Sequence, residues 1–143
     1  MRNRLQAGMS DAVFIAQSGV NADIRTQQAG PLSSNIFELL NEFSLDLQKN
    51  MVLDAKCGNV QVQEQRGIFL MNRPVEYPLF PTIDTFNGSD SLSGVVVNEL
   101  EQVLLLFPSE IKIDTSSKEN VEIVSTLFTA SNNSGIMESN LVL

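Results

Sequence analysis

The chain has 143 residues and a formal net charge of −8, from nine basic and 17 acidic side chains; 43% of its residues are hydrophobic and 18% are charged. That is the length of one ordinary domain, with apolar content enough for a core and too little charge for a disordered polyelectrolyte. With no His, no Trp and a single Cys, histidine-based catalysis, histidine metal sites and a disulfide framework are excluded.

The N-terminal Met1-Arg2-Asn3-Arg4 is basic. The apolar stretch behind it, residues 12–16, is shorter than a signal-peptide core and follows Asp11, so it is expected to belong to the mature protein. Leu5, Met9, Val13, Ala16, Val20 and Ile24 recur at steps of three or four, which predicts an amphipathic helix over about residues 5–26. Gly8 and Gly19 each weaken such a helix by about 1 kcal/mol relative to Ala. It therefore needs something to pack against. Residues 27–31, ending Gly30-Pro31, read as a stop. Residues 1–31 are thus expected to be a helical arm ahead of an α+β domain over 32–143.

Ile36, Leu40, Phe43, Leu47 and Met51 form a second helical seam, with Glu38, Glu42, Asp46 and Lys49 on the opposite side. Asn35 and Glu38 suggest a variant capping box, and a helix is predicted over about 34–51. After Gly58 the period changes to two: Val60 and Val62 alternate with Gln61 and Gln63, a half-buried strand. Residues 64–67 read as a turn and 68–72 as the returning strand. Pro74, Pro78 and Pro81 lack a ladder donor and predict an extended edge strand, or an arm lying on a neighbour. Val75, Tyr77 and Leu79 lie at alternate positions there.

Residues 82–86 alternate again, and Asn87-Gly88 is a turn signal. Val96, Leu100, Val103 and Phe107 match a helical seam closed by Pro108, so a further helix is predicted near 95–107. Residues 110–114 alternate as a strand. Residues 121–129 are rich in β-branched side chains and read as a strand, 130–135 as a polar turn, and 136–143 as a last strand. The expected fold class is α+β: N-terminal helices packed on a mainly antiparallel sheet.

The search for chemistry finds no constellation. Cys57 has no base or second thiol beside it in sequence, and reads as a small packed residue. Asp84, Asp90, Glu99 and Glu101 fall in one stretch. Aligning Asn87-Gly88 with a calcium loop puts Ile83 and Gly94 where ligands are required, so the stretch is better read as a turn. No Gly-Lys phosphate loop exists. Residues 1–73 carry seven basic and seven acidic side chains, and residues 74–143 carry two and ten. All the excess charge lies in the second half, a surface that repels phosphate backbones.

The chain is therefore expected to be non-enzymatic, without cofactor or metal, and without sequence-specific nucleic-acid binding or a membrane span. Its expected partners are copies of itself or other assembly proteins, in the cytoplasm or in an assembled particle. Leu5, Met9, Val13, Val20, Ile24, Val75, Tyr77, Leu79, Phe80, Leu141, Val142 and Leu143 are the candidate interface. They combine the weak N-terminal stripe, the proline-punctuated segment and an apolar C-terminus. Ser, Asn, Gln and Thr total 43 against 26 charged residues, which favours hydrogen-bonded, adaptable surfaces. Such a surface, low Cys and prolines between short strands are shared with small phage and virus structural proteins, a likeness of composition alone. The expected role is a structural subunit such as a shell, collar, tube or tail part. The alternative is an α+β adaptor binding a peptide or small ligand.

Overall fold

The computed structural model describes residues 16–26, 28–87, 97, 99–114 and 126–138. Of these, 50% lie in strands and 9% in helix. In chain order the elements are β1 Val20–Asp23, β2 Gln28–Pro31, α1 Asn35–Glu42, β3 Leu45–Leu47, β4 Asn50–Asp54, β5 Cys57–Arg66, β6 Phe69–Ile83, β7 Val103–Leu104, β8 Ile111–Ile113 and β9 Ser134–Glu138. They pair, always antiparallel, as β1-β2, β3-β8, β4-β9 and β5-β6-β7. This corrects the α+β expectation: several small antiparallel sheets replace one sheet covered by helices.

The helix expected over 5–26 is overturned in its described part, residues 16–26; residues 5–15 lie outside the described residues. Val20 to Asp23 pairs with the segment read as a stop. The Asp23 carboxylate accepts the Arg25 N–H at 2.8 Å, a local bond that turns the chain back instead of letting a helix run on. The Leu32 N–H donates to the Gly19 carbonyl at 2.8 Å and extends this ladder. Gly19 is fixed by a close approach: a Cβ there would sit 2.1 Å from the Gln48 carbonyl oxygen.

The helix expected over 34–51 forms only as α1. Ser34 caps it, its hydroxyl accepting from the Ile36 N–H, and Leu40 is its buried residue. It stops at Phe43, and Ser44 turns the chain at φ 64°. Beyond it, Leu45-Asp46-Leu47 pairs with Ile113-Lys112-Ile111, and β4 pairs with β9. A helix of this length is marginal on its own, and these distant strands decide the conformation of its intended second half. The helix expected near 95–107 is likewise corrected at its end, where Val103 and Leu104 pair with Ile83 and Thr82; residues 94–96 and 98 lie outside the described residues.

The strands expected around 60–63, 68–72 and 110–114 are present within β5, β6 and β8. The turn sits later than expected. It is Gly67-Ile68, with φ +65° at Gly67 and no positive φ at Ile68, as in a type II′ hairpin. β6 then runs straight through Pro74, Pro78 and Pro81. Of the strand expected over 121–129, residues 126–129 carry no regular structure and 121–125 lie outside the described residues. The last strand is β9, and residues 139–143 lie outside them too.

The core gathers Val20, Ala29, Met51, Leu79 and Phe80, with Leu53, Val60, Tyr77, Phe107 and Met137 against it. Met51 is fully buried. Residues 107–110 stitch the body together. The Val52 N–H donates to the Pro108 carbonyl at 2.7 Å. The buried Ser109 hydroxyl accepts the Gly19 N–H at 2.7 Å and donates to the Asn50 carbonyl at 2.6 Å.

Candidate functional site

The register of β5 on β6 pairs Val60 with Val75 at the edge of the core, then Gln61 with Pro74, and continues to Arg66 with Phe69. Six residue pairs project beyond Val60 and Val75, about 20 Å of ribbon at the usual strand rise. Every residue from 61 to 74 is exposed except the half-buried Glu64. Alternation gives the ribbon two faces. One carries Val62, Arg73, Glu64, Met71, Arg66 and Phe69; the other carries Gln61, Pro74, Gln63, Asn72, Gln65 and Leu70.

The tip is a run of four successive exposed large apolar residues. Ile68 is 90% exposed, Phe69 66%, Leu70 67% and Met71 56%. A strand that packs one face on its own core alternates apolar with polar residues; this run does not. Arg66 and Arg73 bracket it. Arg66 reaches Glu64 at 3.4 Å, and among the described residues Arg73 forms no ion pair.

The root of the arm is rigid. Tyr77, Phe80 and Phe107 meet edge to face, with ring centroids 4.9, 5.1 and 6.3 Å apart. Pro81 is fully buried. The Phe107 N–H donates to Leu79 and the Leu105 N–H to Pro81, each at 3.0 Å, so the far side of β6 is held where the arm leaves the body. Burial pushes the Tyr77 hydroxyl above its ordinary pKa, consistent with a mainly structural ring.

Along the arm itself the two edges differ. In a two-residue hairpin the bonded and non-bonded pairs alternate outward from the turn. Gln61 with Pro74 is then a non-bonded pair, so the missing N–H of Pro74 falls on the outer rim of β6. Pro78 is a second donor-less position in that strand. β5 carries no proline and is an edge strand among the described residues.

Two other features bring together groups that could bear chemistry or bind a ligand. Asp54 is 2% exposed and accepts from the Ser131 hydroxyl at 2.6 Å, the Ser131 N–H at 2.8 Å and the Lys56 N–H at 2.9 Å. Burial alone would raise its pKa, but these bonds and the Lys56 charge outweigh it and hold the carboxyl below its usual range. Asp54 thus clamps the β4–β5 turn to the loop before β9. Lys56 pairs with Asp84. Cys57, half-buried, stands in register with Pro81. No nucleophile–base pair arises from these groups. Among the described residues no cluster of three or more His, Cys, Asp or Glu could hold a metal ion, and no helix is long and apolar enough to cross a membrane.

The second feature is an apolar cavity of about 240 Å³ lined by Ala16, Leu40, Leu45, Leu47 and Ile111. It lies below the roughly 300–1,000 Å³ of a small-molecule site and has no side-chain polar group in its wall.

The sequence-derived interface residues separate. Val20, Leu79 and Phe80 are buried in the chain's own core, which removes them from an accessible interface. Val75 and Tyr77 are half-buried at the arm's root, and Ile24 is exposed at the β1–β2 turn. Leu5, Met9, Val13, Leu141, Val142 and Leu143 lie outside the described residues. The exposed run at 68–71 was missed because it was read as an ordinary returning strand. Four successive large apolar residues after a glycine, bracketed by arginines, were the available signal.

No family model, curated protein or solved structure matches the chain.

Proposed function

We propose that the protein is a non-enzymatic structural subunit of a larger assembly, of the shell, collar, tube or tail-part kind, and that it grips its neighbours with the β5–β6 arm. The observation that carries this reading is the bare apolar tip at the end of a projecting two-stranded ribbon. An isolated two-stranded hairpin is marginal in water. Covering a large aliphatic or Phe side chain contributes up to roughly 1.5–3 kcal/mol, so a partner that buries the tip both orders the arm and binds through it. The rigid aromatic root supports such a lever. Tight local anchors such as Asp54 and Ser109 serve the body and leave the arm free for contact.

The test is sedimentation equilibrium of the full chain across a concentration series, at two salt concentrations, beside Phe69→Asp. Concentration-dependent association that Phe69→Asp abolishes supports the proposal. A strict monomer at the highest concentration, with the tip still accessible, overturns it.

A further inference from the structure

Resting on that reading, we infer that the arm's partner is the same arm of a second copy: the two β5 strands pair antiparallel about a two-fold axis at Gln65, joining two ribbons into one sheet of order β6-β5-β5-β6. The hydrogen-bonding rims of the arm single out this strand. In the two-residue hairpin closed by Arg66 and Phe69, Gln65 with Leu70, Gln63 with Asn72 and Gln61 with Pro74 are the non-bonded pairs. Gln61, Gln63 and Gln65 therefore turn their N–H and C=O groups to the outer rim of β5, where no strand among the described residues meets them. That row is continuous, whereas the rim of β6 lacks a donor at Pro74.

The β5 sequence complements itself in one register. An axis at Gln65 sets Glu64 opposite the partner's Arg66, and Arg66 opposite the partner's Glu64. Both are non-bonded pairs, where facing side chains stand closest. An axis at Glu64 would oppose two carboxylates, and an axis at Gln63 or Val62 would set both charges opposite valine or glycine. Glu64 and Arg66 already approach within each strand at 3.4 Å; the axis at Gln65 turns that pair into a ring of four alternating charges.

Phe69 stands in register with Arg66, and Met71 with Glu64. One row of the joined sheet thus runs Phe69, Arg66, the partner's Glu64 and the partner's Met71 on a single face. Apolar side chains flank the charges on both sides. The same register brings the exposed Ile68 level with the partner's exposed Val62, which covers part of each tip. Four strands with apolar side chains on a face supply what a lone two-stranded ribbon lacks. The contact uses the same surface on both copies, so it closes as a dimer.

The experiment reads association of the full chain by sedimentation velocity over a concentration series. Glu64→Lys leaves only cations in the ring, and Arg66→Glu only anions. Each is expected to weaken self-association roughly tenfold or more, and their equimolar mixture to recover it as a heterodimer whose facing charges are again opposite. Gln65→Pro removes an outward N–H that the hairpin itself does not use, and is expected to weaken association as strongly. Circular dichroism checks each fold; if the proline variant does not fold, the charge exchange decides alone. Association lost in Phe69→Asp but unchanged in these variants overturns the strand pairing and leaves the assembly reading standing. Loss in both charge variants without recovery in their mixture overturns the axis at Gln65. Gln61, Gln63 and Gln65 amides that resist hydrogen exchange in the dilute monomer show a rim occupied from within the chain, which overturns the pairing alone. A wild type that is monomeric throughout overturns both.

Discussion

Gly19 shows how one missing methyl group shapes this protein. Its backbone packs against the Gln48 carbonyl so closely that a Cβ would approach that oxygen to 2.1 Å, and the oxygen belongs to main chain that cannot swing away. Gly19→Ala is expected to lower stability by about 1–3 kcal/mol, read as a lower thermal midpoint by circular dichroism. Ser44 is strained differently: its φ is 64° and its buried hydroxyl has no hydrogen-bond partner among the described residues. It ends α1 where a glycine would be easier. Asp54 sets the acid behaviour. Its carboxyl is held below the usual value in the fold, so its contribution is present above about pH 4, the unfolded value, and fades as pH falls through the lower folded one. Stability against urea, measured from pH 6 down to pH 2, is expected to fall less steeply in Asp54→Asn than in the wild type. An identical acid limb would show that the clamp to Ser131 contributes nothing. The exposed pair of Lys56 with Asp84 adds little by comparison.

At the scale of elements, the same seam supported two structures. Ile36, Leu40, Phe43, Leu47 and Met51 fit a helix, but Leu45 and Leu47 also alternate about Asp46. Only β8, more than sixty residues away in sequence, selects the strand. No local pattern announces a partner that distant, and the stripe from Leu5 to Ile24 misled for the same reason where it meets β1. Val60 and Val62 were legible because their glutamine neighbours leave no competing helical stripe, and Ile111 and Ile113 because of Lys112 between them. The arm was half legible: prolines and alternation announced an extended segment, but its bare end was read as a strand like any other. Its energetics give a direct check. Amides of residues 61–74 lie in a two-stranded ribbon with no core beneath it, whereas those of 79–83 lie against the core. Hydrogen exchange is expected to be fast in the first group and slow in the second for the dilute chain. At associating concentrations the first group is expected to slow. Equal protection of both groups in the dilute chain would show that the arm is stabilised from within.

At the scale of the whole molecule, the separation of body and arm matters more than any single sheet. The body closes over Met51 with strands drawn from both ends of the described chain, and hydrogen bonds of Ser109 and Asp54 tie each end to β4. The candidate interface read from the sequence included residues such as Leu79 and Phe80, apolar because they anchor the arm, and left out Ile68 and Phe69, apolar at its free end. Composition predicted surfaces left for a partner; it could not say which, because burial depends on the register between β5 and β6.

The unequal rims of the arm carry one more consequence. An overproduced chain with a bare ribbon invites runaway stacking, each ribbon templating the next. Here the β5 flank can zip onto another β5 flank, but the resulting quartet of strands would present only proline-gapped rims outward, and a further ribbon would find donors missing where it needs them. Lateral stacking of ribbons through their edges thus ends at a pair.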